Sequence, residues 1–320
     1  MLKWLVIGIG DITKKRVLPA ILSEPRSRLV GIVTRDPAKA EAYAVPGWRE
    51  LDRALAQSDA EAVYVATPVN LHAPQTIACL RAGRHVLCEK PMAMNYAEAA
   101  TMPKAAEETG RLLGVAYYRR MYPKVNRALE LIAKGAIGRP FLGEATSHEW
   151  REDGGLPGDW RFRPEQAGGG PLYDIASHRI DLMNYFFGLP VRADGHISTM
   201  VHPMQVEDNA TVMIDYDTGA RALVDVRWHS KVARDEFRIR GTEGEMELSP
   251  LNGSALRYPG GDEEVPAPAN LHYPCVAEFV SSVLAGAPLR SSGATAMLTD
   301  WITEQVMDGA KRAAVSRANV

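Results

Sequence analysis

The sequence predicts two domains, a doubly wound α/β domain with a parallel sheet, followed by an α+β domain with a predominantly antiparallel sheet. Three observations carry this. Apolar runs and helix-spaced runs alternate from Leu2 to Tyr117, the pattern of parallel strands linked by helices. Those apolar runs are continuous rather than alternating, as burial on both faces requires. Beyond Met121 the alternation stops, and strand-like segments follow one another through short turns, which makes an antiparallel sheet. The 320 residues suit two domains, with the boundary placed between residues 120 and 121.

The elements follow in order. Leu2 to Ile7 reads as a strand ending at Gly8, and Lys14 to Leu22 as a helix with Val17, Leu18, Ile21 and Leu22 at helical spacing. Leu29 to Thr34 is a second strand, Pro37 to Ala44 a helix, and Ala44 to Pro46 a short third strand. Leu51 to Gln57 is helical. Ala62 to Ala66 is a strand, Pro74 to Ala82 a helix, His85 to Cys88 a strand, Tyr96 to Thr109 a helix and Leu112 to Tyr117 a strand. In the second part, Tyr122 to Lys134 is helical. Phe141 to Glu149, Asn209 to Tyr216, Ala220 to His229, Asp235 to Arg240 and Glu245 to Leu248 have strand composition. Asp217-Thr218-Gly219 and Gly241 to Gly244 are hairpin turns. Tyr258 to Pro268, rich in Pro, Gly and acid, reads as a surface loop, and Ala294 to Ala314 as a C-terminal helix.

Composition excludes several classes. Apolar residues are 46% and charged residues 24%, which is ordinary for a globular chain. A formal net charge of -2 makes no electrostatic case for nucleic acid or an anionic membrane. The apolar runs fall far short of the ~20 residues of a membrane span. Met1-Leu2-Lys3-Trp4 enters a strand without a signal-peptide layout. Cys79, Cys88 and Cys275 are odd in number and widely spaced, so they read as reduced thiols of a cytoplasmic protein and offer no metal-site spacing.

Two stretches carry chemistry. Gly8-Ile9-Gly10-Asp11-Ile12-Thr13 lies between the first strand and the first helix. The first glycine permits the turn, and the second lets the backbone approach a pyrophosphate at the helix N-terminus. The strand–turn–helix context makes this a dinucleotide site, with Thr13 where a third Gly or Ala is usual. Thr34-Arg35 ends the second strand, about 24 residues after Gly10, where the adenosine ribose is read. A hydroxyl and a guanidinium suit a 2′-phosphate and favour NADP(H). Asp36, aimed at the ribose, would favour NAD(H). The other stretch is GGGPLYDIASHRIDLMNYFFG, Gly168 to Gly188. On a helix Asp174, His178, Asp181 and Tyr185 share one stripe, while Ile175, Ile180, Met183, Phe186 and Phe187 fill the rest. A polar stripe on a buried helix faces a polar cavity or pairs internally. The glycines upstream would let backbone come close to a ligand.

Gly8-x-Gly10, Thr67-Pro68-x-Asn70-x-His72, Glu89-Lys90-Pro91 and Gly169-Gly170…Asp174-x-x-x-His178-x-x-Asp181 occur in this order. Together they make the chain resemble the glucose–fructose oxidoreductase / inositol dehydrogenase (Gfo/Idh/MocA) family over nearly its whole length. The resemblance implies a Rossmann domain over 1–120. It implies a substrate-binding and oligomerisation domain over 121–320, with a large open sheet that forms a homodimer or homotetramer. It implies hydride transfer between nicotinamide and a secondary alcohol or ketone of a sugar, polyol or related small molecule. Lys90, Asp174 and His178 match the family's catalytic residues. Pro68, Asn70, His72 and Glu89 match cofactor-lining positions, joining Gly8, Gly10, Asp11, Ile12, Thr34, Arg35 and Thr67. Asp181 matches a position that is usually acidic. Relatives that hold NAD tightly and cleave glycosidic bonds, and non-catalytic sensors on the same scaffold, are the alternative readings. The presence of Lys90, Asp174 and His178 argues against a sensor.

The chemistry of these side chains fits. A sugar hydroxyl is a weak acid, and a histidine, with an unperturbed pKa near ~6.5, removes or returns its proton at neutral pH. Asp174 can orient that imidazole or stabilise its cation. Lys90 stabilises alkoxide charge, or is itself the acid where burial lowers its pKa. The residues alone leave the choice between Lys90 and His178 open, and no metal is required. Tyr118, Arg119, Trp160 and Arg163, aromatic and cationic, are candidate sugar contacts beside Asp174 and His178.

Overall fold

Six runs of the N-terminal third pair as one parallel sheet in the computed structural model, which describes residues 1–151 and 159–318. They are β1 (Leu2–Ile7), β2 (Ser27–Val33), β3 (Gly47–Trp48), β4 (Ala62–Val65), β5 (His85–Cys88) and β6 (Leu113–Val115), in the order β3-β2-β1-β4-β5-β6. The order reverses between β1 and β4, and ligands of such sheets bind at that switch point, beyond the strands' C-terminal ends. Trp4, Leu5, Val6 and Ile7 and all four residues of β4 are buried, which is why these strands are apolar throughout. The helices between them are α1 (Leu18–Ser23, entered through a π-helical turn over Thr13–Val17), α2 (Leu51–Gln57), α3 (His72–Arg81) and α4 (Tyr96–Thr109). Asn95 caps α4: its side chain accepts the Glu98 N–H at 2.9 Å, and Gly110 ends the helix at φ 63°.

Two local expectations shift here. The helix expected over Pro37 to Ala44 is a 3₁₀ helix, Pro37–Tyr43, and Ala44 leaves it in the left-handed region at φ 54°. That reversal delays the strand expected at Ala44 to Pro46 until Gly47–Trp48. Pro46 has no N–H for a ladder and only accepts, from Ile32 N–H at 3.1 Å.

The second sheet has eight strands: β7 (Pro140–Trp150), β8 (Pro190–Ser198), β9 (Asn209–Tyr216), β10 (Arg221–Arg227), β11 (His229–Gly241), β12 (Gly244–Glu247), β13 (Ala255–Tyr258) and β14 (Gly261–Glu264). Their order is β14-β13-β12-β11-β7-β10-β9-β8, antiparallel at every junction but β7–β10. Its helices are α5 (Pro123–Ala133), α6 (Pro164–Ala167) and α7 (Ser177–Phe187), the last preceded by a π-helical turn over Leu172–Ala176. One face of the sheet is buried through Ala145, Val212, Ile214, Val224, Val226, Phe237 and Ile239. A Cβ added at Gly143 would meet Met183 Sδ and the Phe187 ring, so α7 lies directly on β7. The other face carries interleaved charges, including the pairs Arg240–Glu144 at 3.1 Å and Arg227–Asp225 at 2.9 Å.

The surface loop expected over Tyr258 to Pro268 instead contains β14, paired with β13 from Ala255↔Glu264 to Tyr258↔Gly261. The acidic run Asp262 to Glu264 shows no apolar alternation because this edge is held by polar contacts: Glu263 accepts from Arg127 Nε at 2.8 Å and from Tyr258 Oη at 2.9 Å. The edge strand β8 was not anticipated for the same reason, since four of its nine residues are exposed and its pattern is mixed.

After β14 the chain forms α8 (Tyr273–Ala285) and α9 (Gly293–Ala318). Cys275, Val276, Phe279 and Val280 of α8 are buried, and Phe279 lies 5.5 Å from the Trp4 ring, centroid to centroid. Residues 268–297, which the sequence reading placed in the second domain, therefore group with the first unit. One compact unit is Met1–Tyr118 with Pro268–Met297, the other Arg119–Ala267 with Leu298–Val320. No helix among the described residues is long and apolar enough to cross a membrane.

Candidate active site

On the first unit the residues at the C-terminal edge of the parallel sheet come from the turns after β1, β2, β4 and β5. Gly8 stands at φ 90°, and a Cβ there would overlap the Ala66 carbonyl oxygen, so the β1 and β4 turns approach as closely as only glycine permits. Gly10 is exposed, and a Cβ there would meet nothing within 4 Å. The first glycine thus serves the fold, and the second leaves its backbone open to a ligand. Asp11 is exposed and pairs with Lys15 at 3.6 Å, and Ile12 is half-buried. Thr13 is fully buried in the π-helical turn, and its Oγ1 has no hydrogen-bond partner among the described residues. The helix packs on the sheet with threonine in the position the fingerprint reserves for Gly or Ala.

Thr34 N–H donates to Trp48 O at 2.8 Å, and its neighbour Arg35 is exposed at the end of β2, as is Asp36. After β4, Thr67 Oγ1 donates to Gln75 Oε1 at 2.8 Å, and Pro68 leads into a single 3₁₀ turn, Val69–Leu71. The Asn70 Oδ1 in that turn is buried without a hydrogen-bond partner among the described residues. His72 is buried at the start of α3, Nδ1 2.9 Å from Pro91 O and Nε2 2.8 Å from Thr67 O. Burial lowers its pKa, opposed by these two carbonyls. The ring is therefore wedged between the β4 turn and the β5 turn, its one N–H in the neutral form donating to one of these two carbonyls.

Glu89 and Lys90 follow β5. Glu89 is 7% exposed. Its Oε1 accepts from Tyr64 Oη at 2.8 Å and lies 3.2 Å from His272 Nε2, while Oε2 accepts the Lys90 N–H at 3.3 Å. Burial works to raise the carboxyl, but the hydrogen bond and charge of His272, the Tyr64 hydroxyl and the Lys90 charge outweigh it and hold the pKa below its ordinary value. Lys90 is half-buried and is joined to Pro91 by a cis peptide bond. Tyr118 is buried with its ring 4.4 Å from that of His272. Nothing in the sequence pattern pointed to His272, which lies 183 residues from Glu89 in the returning segment.

These residues fit a dinucleotide. An open glycine backbone stands at a helix start, a buried amide oxygen lacks a protein partner one turn away in the sheet edge, and an arginine follows β2.

On the second unit, Asp174 lies in the π-helical turn and His178 in the first turn of α7, His178 being 6% exposed. Arg151, at the end of β7, donates from Nη2 to Asp174 Oδ2 at 3.2 Å and from Nε to Glu149 at 2.9 Å. Its guanidinium lies 4.8 Å from the centre of the Trp228 ring, so the arginine is itself fixed. The helix is wound wider at its start than the regular helix the sequence implied. Asp181, further along the expected stripe, is buried in a pair with Arg120, whose Nε is 2.9 Å from Oδ2, and Arg120 stacks over Tyr185 at 5.4 Å. Burial pushes Asp181 up despite that cation. The stripe thus divides, with its lower half satisfied within the fold.

The glycine run does not open toward a ligand as expected. Cβ atoms at Gly168 and Gly169 would overlap the Tyr173 ring, and one at Gly170 would overlap the Glu207 carbonyl oxygen. Glu207 is buried beneath the run and accepts the Leu172 N–H at 3.0 Å. Burial pushes its carboxyl up to about 7, opposed by the N–H groups of Gly170, Leu172 and Glu207 itself. Of the proposed sugar contacts, Arg119 is buried and bonded to Asn252, Trp160 is half-buried with Arg161 stacked at 5.2 Å, and Arg163 is exposed. Arg151 and Glu207 were missed, although an arginine ending a long strand and a paired acid ahead of β9 were visible signals.

Residues 2–117 match the oxidoreductase family with an NAD-binding Rossmann fold, and residues 125–247 match the GFO/IDH/MocA C-terminal domain. The 1,5-anhydro-D-fructose reductase of Ensifer adhaerens is 31% identical over 298 residues, which cover 88% of each chain. The chain belongs to the GFO/IDH/MocA family. Among solved structures, the aldose-aldose oxidoreductase from Caulobacter crescentus, complexed with glycerol, superposes with a TM-score of 0.87 at 27% identity over 98% of each chain. Levoglucosan dehydrogenase in complex with NADH and levoglucosan superposes with a TM-score of 0.85 at 25% identity over 97% of each. As a GFO/IDH/MocA member, the protein is an oxidoreductase acting on CH–OH groups, and its first unit is an NAD-binding Rossmann fold.

Proposed function

We propose that the protein transfers hydride between NADP(H) and a secondary alcohol or ketone of a sugar, polyol or related small molecule. The observation that carries the reading is the shared sheet edge of the first unit. The open backbone of Gly10, the buried Asn70 Oδ1 and the Lys90 backbone held by Glu89 all stand beyond the C-terminal ends of neighbouring parallel strands. Gly8, Gly10, Asp11 and Ile12 would receive the pyrophosphate, Thr34 and Arg35 the 2′-phosphate, and Thr67, Pro68 and Asn70 the nicotinamide half. His72 and Glu89 hold the turns in place.

A bound nicotinamide dinucleotide supplies the hydride chemistry. The chain must then handle one proton and the charge on one oxygen. Lys90 stabilises alkoxide character on that oxygen, His178 takes or returns the proton, and Asp174, itself gripped by Arg151, orients the imidazole. The sugars and anhydro-sugars named for the relatives set the substrate class. The interleaved cations and anions on the outer face of the eight-stranded sheet suit pairing with a second copy, as a homodimer or homotetramer. A cytoplasmic setting suits the three buried thiols.

The test is a panel of sugars and polyols with NADP(H) and NAD(H), followed at 340 nm, with Lys90→Ala and His178→Ala in parallel. Each variant should lose about 10²–10⁴ in turnover with dinucleotide affinity nearly kept. Wild-type turnover in both variants would sink the assignment. Product formed without any absorbance change would instead indicate a glycosidase holding its NAD.

A further inference from the structure

Glu89 is a buried carboxylate on which three parts of the first unit converge. Tyr64 of β4 and His272, directly before α8, both reach Oε1, at 2.8 and 3.2 Å, and the Lys90 N–H reaches Oε2 at 3.3 Å. His272 is 1% exposed and is fixed from two further directions. Its own N–H donates to Asn270 Oδ1 at 2.9 Å, and the Tyr118 ring lies against it at 4.4 Å. Asn270 in turn donates to Arg16 O at 2.9 Å, which ties the loop to the first helix. Nε2 must carry a proton to meet a carboxylate, and among the described residues Nδ1 has no hydrogen-bond partner and the link to Glu89 is the ring's one side-chain hydrogen bond. A carboxylate buried this deeply costs several kcal/mol unless its lone pairs are met, so a donor on each oxygen fixes both its charge and its direction.

We infer that His272 is a positioning residue for the reaction: it fixes the Glu89 carboxylate, and through Glu89 the stretch of backbone from which Lys90 projects. The inference rests on the reading of Lys90 as a catalytic group. Lys90 follows a four-residue strand, and the bond from its N–H to Glu89 orients the peptide that sets the origin of its side chain. A side chain held at its base loses less freedom when it meets a reacting oxygen, and small misplacements are costly in rate. The titratable groups around Glu89 are Tyr64 on β4, Cys88 on β5, Lys90, His72 on α3, His272 and Cys275 on α8. Of the forces that hold Glu89 down against burial, those from His272 are the largest. Without them the carboxyl is held down only by Tyr64 and Lys90, and its pKa moves up from where it stands. The acid limb of the pH profile of kcat then moves upward.

The experiment compares wild type, His272→Phe and His272→Gln on the fastest substrate of the sugar and polyol panel, with Lys90→Ala measured alongside. The phenyl ring fills the space without a donor, and the amide restores one. The expected result for His272→Phe is a kcat lower by about tenfold to hundredfold, KM nearly kept and an acid limb moved to higher pH. His272→Gln should fall between the two. Should the phenyl variant not fold, His272→Asn, too short to reach Glu89, takes its place. An unchanged kcat and acid limb in a folded donor-free variant, with Lys90→Ala inactive, overturns the role of His272 alone. An active Lys90→Ala, or a wild type that turns over nothing in the panel, overturns the reading beneath it.

Discussion

Glu207→Gln tests whether a buried acid beneath the Asp174–His178 helix sets the pH dependence of stability. Glu207 lies under the glycine run, with Leu172 N–H donating to its Oε1 at 3.0 Å. Burial raises its carboxyl from an ordinary 4.5 to about 7, with the backbone N–H groups opposing and the Asp208 charge adding to the rise. The folded chain therefore binds this proton more tightly than the unfolded chain. Its contribution to stability is fully present below about pH 4.5 and is lost as pH rises through about 7. Each pKa unit is worth about 1.36 kcal/mol, so the loss approaches ~3 kcal/mol. Glutamine keeps an oxygen for the Leu172 N–H and cannot ionise. Urea unfolding of both proteins from pH 4.5 to 8.5 measures the difference. Glu207→Gln should gain on wild type by roughly 3 kcal/mol across that range, most of it between pH 5 and 8. A stability difference that stays constant with pH would refute the reasoning.

Other predictions follow from the same geometry. Gly10→Ala should leave stability within about 0.5 kcal/mol, because its Cβ meets nothing, yet weaken dinucleotide binding about tenfold or more in a fluorescence titration. Gly8→Ala, with its Cβ on the Ala66 carbonyl and φ at 90°, should instead cost about 1–3 kcal/mol or more in thermal unfolding. Arg120→Ala strands the buried Asp181 and should destabilise by about 3–5 kcal/mol, measured by urea unfolding. Arg35→Ala should raise the Kd for NADPH about 10- to 100-fold, with that for NADH little changed, and an unaltered ratio would remove Arg35 as the selector.

The stretches of the candidate site that lie within one turn of chain stand out in the sequence as short patterns. The glycine turn, the Thr67–His72 stretch, the Glu89–Lys90 pair and the Asp174–His178 pair each stand on a single strand–turn or helical segment, so their order in the sequence is enough to show the family resemblance, whereas the π-helical turn that holds Asp174 is not in the spacing. The purpose of each was less legible. Gly168 to Gly170 read as an opening for a ligand, but they accommodate Tyr173 and Glu207. His72 read as a cofactor contact, but it is buried with its ring nitrogens against the carbonyl oxygens of Thr67 and Pro91. Arg119 read as a sugar contact, but it is buried against Asn252.

By itself the sequence determined the parallel pairing of the first sheet, the largely antiparallel character of the second and the position of Lys90 just past a strand, because strand burial and turn chemistry are local and periodic. Tertiary structure alone decided what surrounds those residues. Arg151 on Asp174, Arg120 on Asp181, Glu207 under the glycine run and His272 on Glu89 join residues 23 to 183 positions apart. Which charges meet at such separations depends on the path of the whole chain. The return of residues 268–297 to the first sheet, driven by burial of Phe279 against Trp4, is what brings His272 to Glu89.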